Sequence, residues 1–136
     1  MLCVSLMPET TDVALTAMER VAGRADLVEI RLDAMQRFDL DRLLAAPPCP
    51  VIVTFRPARE GGLYEGPEGE RLRTLRRAAQ LGARYVDVEH DAVDRLGDVP
   101  PERVIVSYHN FDGTPDDLAA VHRRMAESGA GIVKVA

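Results

Sequence analysis

Aliphatic side chains recur at alternate positions in six short segments: Leu2 to Met7, Leu27 to Asp33, Val51 to Arg56, Tyr85 to His90, Val104 to His109 and Ile132 to Ala136. That period of two predicts strands. Between them the spacing lengthens to helical, as in Leu72, Leu75 and Ala79 before Gly82, or Leu118, Val121 and Met125 before Gly129. These read as amphipathic helices ending near glycine. The last is expected to start at Thr114 as cap, with Pro115 at its first position and Asp116 and Asp117 in its first turn. Strands alternating with helices imply right-handed crossovers and a parallel sheet. No linker or shift in composition divides the chain, so a single α/β domain over residues 1–136 is expected.

Strands covered by helices on both faces are apolar throughout, and these are not. Val28, Ile30 and Leu32 share one face of the second strand, and Glu29, Arg31 and Asp33 share the other. In the third, Val51, Val53 and Phe55 oppose Ile52, Thr54 and Arg56; in the fourth, Val86 and Val88 oppose Tyr85, Asp87 and Glu89. The fifth opposes Val104, Val106 and Tyr108 to Ile105, Ser107 and His109, and the sixth opposes Val133 and Val135 to Ile132, Lys134 and Ala136. One face is built for helices, and the other gathers ionisable groups towards the carboxyl ends of the strands. This is the arrangement of a TIM (β/α)8-barrel, whose inner face becomes a site at the carboxyl ends. An open doubly wound sheet fits less well, because Met7-Pro-Glu-Thr-Thr11 follows the first strand where a dinucleotide site has its glycine-rich turn.

Composition narrows the chemistry. With 46% hydrophobic and 29% charged residues the chain is globular, and its net charge of −5 gives no footprint for nucleic acid. Prolines 47, 48 and 50 break the longest apolar stretch, which falls short of the roughly 20 residues of a membrane span; no secretory signal is expected, and the cytoplasm is the expected location. Cys3 and Cys49 lack metal-ligand spacing and are expected to be reduced thiols. A small-molecule substrate is the better expectation, with no metal.

Of the 17 basic residues all but one are arginine, and the exception is Lys134. Arginine keeps its proton near neutrality, whereas an amine in an apolar pocket beside cationic groups sheds it more readily and can attack a carbonyl. The same polar face carries Glu29, Arg31, Arg56, Asp87, Glu89 and His109, with Glu60 in the loop after the third strand. An imine on Lys134 would acidify the carbon beside it, and His109 could take that proton and return it to a leaving hydroxyl. Glu60 could hold the imidazole tautomer, and Arg31 and Arg56 suit an anionic or hydroxylated ketone. On the residues alone this is imine-mediated lyase or aldolase chemistry, or an internal ion-pair network in a partial barrel that only binds. His90 and His122 are expected on surface or loop, and Arg71, Arg73, Arg76 and Arg77 with Glu68 and Glu70 on a solvated helical face.

Five ordered segments resemble the type I 3-dehydroquinate dehydratases of the shikimate pathway. They are Leu27-Val-Glu-Ile-Arg-Leu-Asp33, Val53-Thr-Phe-Arg-Pro-Ala-Arg-Glu-Gly-Gly62, Tyr85-Val-Asp-Val-Glu89, Ser107-Tyr-His-Asn-Phe111 with Thr114-Pro115, and Ile132-Val-Lys-Val-Ala136. The resemblance implies a Schiff base between Lys134 and 3-dehydroquinate, His109 as acid and base, Glu60 as its orienting carboxylate, and Glu29, Arg31 and Arg56 around the substrate. It implies Asp87 and Glu89 as supports, no cofactor, and a homodimer as the usual assembly. Two features depart from the pattern. Asn110 stands where the family commonly has aspartate, and about six of eight βα units are present, where a barrel takes roughly 200 residues or more. The later strands of the family supply a further arginine, serine and glutamine, so a truncated enzyme is expected, with its first and sixth strands as open edges.

Overall fold

The computed structural model describes residues 1–136. Its strands are β1 (Cys3–Leu6), β2 (Leu27–Arg31), β3 (Val51–Thr54), β4 (Tyr85–Glu89), β5 (Val104–Tyr108) and β6 (Ile132–Val135). They pair in parallel in the order β1-β2-β3-β4-β5-β6. The helices are α1 (Thr11–Val21), α2 (Leu40–Leu44), α3 (Glu68–Gln80) and α4 (Leu118–Glu127). Every strand ends one or two residues before the alternation does. Asp33, Arg56 and His109 therefore lie just past the ladder, where their side chains can turn over the carboxyl edge of the sheet.

The aliphatic face is the core. Val28, Ile30, Val86 and Val88 are fully buried and pack with Leu72, Leu75 and Ala78 of α3 and with Ala14 and Met18 of α1. Burial of each larger aliphatic side chain contributes about 1.5–3 kcal/mol. Thr10 caps α1 by accepting the backbone N–H of Val13 at 3.3 Å. On the opposite face Leu27, Ile52 and Ile105 form a small apolar floor with Tyr85 and Ile132. Above this floor the polar groups collect.

The sheet is curled. Strands β2 and β6 are four places apart, about 19 Å in a flat sheet, yet Lys134 Nζ of β6 lies 3.6 Å from Glu29 Oε1 of β2. Glu29, Asp87 and Lys134 come from β2, β4 and β6, the even strands. Layers drawn from alternate strands are the internal packing of a (β/α) barrel. The chain thus folds as about six βα units of the TIM-barrel type, with β1 and β6 at the edges.

Two expectations need correction. No α-helix joins β4 to β5; 3₁₀ turns at Val93–Arg95 and Pro101–Arg103 replace it, because Gly97, Pro100 and Pro101 interrupt any longer helix. The last helix starts at Leu118, with Asp117 in the cap position and no side-chain cap bond. Thr114 and Pro115 precede it in a turn closed by Leu118 N–H donating to Pro115 O at 3.2 Å. That three-residue spacing is tighter than an α-helix allows.

Candidate active site

His109 and Glu60 meet at the carboxyl edge of the sheet. Glu60 lies in a 3₁₀ turn, Ala58–Glu60, just after β3. Its Oε2 accepts the backbone N–H of His109 at 3.2 Å and lies 3.1 Å from His109 Nδ1. Both side chains are largely buried, 13% and 8% exposed. A carboxylate at Nδ1 selects the tautomer with its proton there, which leaves Nε2 as the free acceptor. The turn continues into Gly61 at φ +73°, a left-handed conformation that favours glycine.

Asp33 anchors the same loop. Its carboxylate, whose side chain is fully buried, accepts from Arg31 Nε and Nη2 at 2.9 and 2.7 Å. It also accepts the backbone N–H groups of Arg56 and Leu63, each at 3.1 Å. Burial would push the Asp33 carboxyl up, but the Arg31 fork and the two N–H groups outweigh it and hold the carboxyl below the ordinary range. One carboxylate therefore fixes the Arg31 fork and both ends of the Arg56–Leu63 segment that carries Glu60.

Lys134 stands on the inner face of β6, paired in register with Ser107 of β5. Its Nζ lies 3.3 Å from Asp87 Oδ2 and 3.6 Å from Glu29 Oε1, over a cavity of about 260 Å³ lined also by Cys3, Ser5, Ile52 and Ile105. The sequence pattern suggested arginines around this amine. The structure instead sets carboxylates against it, and Arg56 approaches only through Asp87. Arg56 is 2% exposed: its Nη2 donates to Asp87 Oδ1 at 2.7 Å, and its Nη1 donates to Glu89 Oε1 at 2.6 Å and Ser107 Oγ at 2.7 Å. Thr54 Oγ1 donates to Glu29 Oε1 at 2.7 Å. Of the sequence-derived residues, Glu29, Arg56, Asp87, Glu89 and Lys134 form one linked network, Glu60 and His109 form a pair, and Arg31 is tied to Asp33.

Two further residues belong here, one of which, Arg71, the pattern placed elsewhere. Arg71, expected on a solvated helical face, is fully buried, with Nη1 at 2.7 Å from Glu89 Oε2. His90, expected on surface or loop, lies in the turn after β4, half-buried; it packs edge-on against Tyr108 at 5.2 Å between centroids and lies 4.0 Å from Glu60 Oε1 through Nδ1. Neither carried a sequence signal, since both depend on how the turns after β3 and β4 fold back over the sheet. His122 is exposed on α4. Asn110 Nδ2 donates to Tyr108 Oη at 3.3 Å, away from the pair.

A family model described as type I 3-dehydroquinase matches residues 2–136. The chain belongs to that family. A bifunctional 3-dehydroquinate dehydratase/shikimate dehydrogenase of Arabidopsis thaliana is 41% identical over 150 residues, spanning 100% of this chain and 25% of that protein. A 3-dehydroquinate dehydratase of Methanopyrus kandleri is 39% identical, with 87% of this chain and 58% of its own length matched. The crystal structure of 3-dehydroquinate dehydratase from Geobacillus kaustophilus superposes with a TM-score of 0.82 at 30% identity, over 98% of this chain and 60% of that one. A 3-hexulose-6-phosphate synthase shares the fold at a TM-score of 0.65 and 18% identity. Among type I 3-dehydroquinases, then, this chain spans about three-fifths of the single-function relatives it matches. No helix is long and apolar enough to cross a membrane.

Proposed function

We propose that this surface performs the imine chemistry of 3-dehydroquinate dehydration, a hydro-lyase reaction of the shikimate pathway in the cytoplasm. The reading is supported by the chain's one lysine, paired in register with Ser107 two residues before His109, and by a His109 Nδ1 that lies 3.1 Å from a buried carboxylate. The free amine of Lys134 adds to the ketone and a water leaves, giving the iminium. His109 Nε2 takes a proton from the adjacent carbon, and the electron pair moves into the iminium to form an enamine. The enamine then expels the hydroxyl one carbon further on, and His109 returns the proton so that it leaves as water. A second water hydrolyses the iminium, releasing the enone 3-dehydroshikimate and the amine. The net change is loss of one water from the substrate, and no cofactor is required.

Each residue acts by position. Glu60 stabilises the imidazolium formed midway and keeps Nε2 facing the substrate. Asp87 and Glu29 hold the Lys134 amine over the cavity and can accept its proton as the imine forms. Arg31 is part-exposed and its Nη1 stands outside the fork held by Asp33, so it favours an anionic, hydroxylated ketone over a neutral one, whereas Arg56 is buried with its donors on Asp87, Glu89 and Ser107 and acts through Asp87. Proton transfer is tested by incubating the chain with 3-dehydroquinate in deuterium oxide and following the ketone by proton NMR. Loss of the α-proton signal, by exchange or by conversion to the enone, is the expected result; an unchanged α-proton beside folded protein overturns the acid and base assignment.

A further inference from the structure

The α3 helix packs on the outside of the sheet, yet one of its side chains reaches the inner network. Arg71 threads past the end of β3, where its Nη1 donates to Phe55 O at 3.0 Å, and comes to rest 2.7 Å from Glu89 Oε2. Its Nε and Nη2 donate to Glu68 at 2.7 and 3.0 Å. Arg71 and Glu89 are both fully buried. The other oxygen of Glu89 accepts from Arg56, and Arg56 reaches Asp87, which accepts from Lys134. Charges thus alternate without a gap from the outer helix to the inner amine.

The energetics of this chain of pairs turn on Glu89. A carboxylate with no exposure is costly without counter-charge, and burial pushes the Glu89 carboxyl above the ordinary range even with Arg71 and Arg56 opposing it. A neutral Glu89 would hold Arg56 more weakly, since a charge-assisted bond is roughly twice as strong as a neutral one. We propose that Arg71 is a positioning residue for ligand binding: its guanidinium keeps Glu89 a carboxylate, and that carboxylate locks the Arg56 fork on Asp87, the carboxylate that holds the Lys134 amine. This rests on the imine reading of Lys134. It adds a residue that touches no substrate and lies on the opposite side of the sheet from the site.

The test is a double-mutant cycle with Arg71→Met and Glu89→Gln, alone and together, and with Arg71→Lys as the conservative variant. The readout is the 3-dehydroquinate concentration that half-saturates borohydride trapping on Lys134, measured across pH 6 to 8 on protein shown to be folded. Arg71→Met is expected to raise that concentration about tenfold and to make it increase with falling pH, while Arg71→Lys restores most of the affinity. In the Glu89→Gln background Arg71→Met should add less than about a twofold change. Equal ratios in both backgrounds, or wild-type affinity in Arg71→Met, overturn the proposal. Absence of any adduct in the wild type defeats the imine reading instead, and carboxyl carbon NMR then decides the Arg71 step by itself. A Glu89 carboxyl that titrates at higher pH in Arg71→Met, or in Arg71→Lys should the first not fold, supports the step; an unmoved titration overturns it.

Discussion

Alanine at His109 slows transfer of the α-proton of the bound ketone by about 10²–10⁴-fold, the usual contribution of a positioned general base, and leaves Lys134 able to form its imine. The two effects separate because His109 contacts the carboxylate of Glu60 and not the amine. Deuterium exchange reads the first and borohydride trapping reads the second. Glu60→Gln is the milder change. It keeps an acceptor near Nδ1 but removes the charge that stabilises the imidazolium, so exchange falls by less than in His109→Ala. A variant at His109 that loses trapping and exchange together would show that the two steps share one structural cause.

Asn at position 33 lowers stability by about 3 kcal/mol, the low end of the cost of breaking a buried ion pair. The low end applies because Arg31 keeps 18% exposure and regains some hydration. For a chain of this size the loss corresponds to roughly 10 °C in thermal midpoint. The pH dependence follows with a definite sign. The Asp33 carboxyl is held below its ordinary range in the folded chain, so the unfolded chain binds the extra proton in the window between the two values. Its contribution is complete above the ordinary aspartate range, near about pH 4, and disappears as pH falls through the folded value. Glu89, raised by burial, acts oppositely, its ionisation costing stability as pH rises through the carboxyl range. Thermal melts from neutral pH into acid should show a steeper acid loss in the wild type than in Asp33→Asn. Parallel curves would mean that Asp33 is not the anchor of the Glu60 loop.

The period-two pattern made the strands and both of their faces legible, because a strand cannot place Val86 and Asp87 on the same side. It also made the Lys134 surface legible, since Glu29 and Asp87 share the parity of that residue within their strands. The partners of Lys134 were not legible. The pattern put arginines beside the amine, whereas curling brings alternate strands together and selects carboxylates from β2 and β4. Arg71 escaped for a related reason: Arg71 beside Glu68 reads as an ordinary surface pair three residues apart, and nothing local shows that the second half of the guanidinium enters the barrel. The missing helix between β4 and β5 was legible in Gly97, Pro100 and Pro101 but lost within the general alternation. The order of the five segments carried the family, which the match over residues 2–136 shows.

On the proposed reading Lys134 is the imine-forming nucleophile. The most direct test is incubation with 3-dehydroquinate and sodium borohydride, followed by intact mass and peptide mapping, with Lys134→Met as the control. One ligand-sized increment is expected, mapped to Lys134 and absent from the variant. An increment that persists in Lys134→Met, or folded wild-type protein that gains no mass, would contradict it.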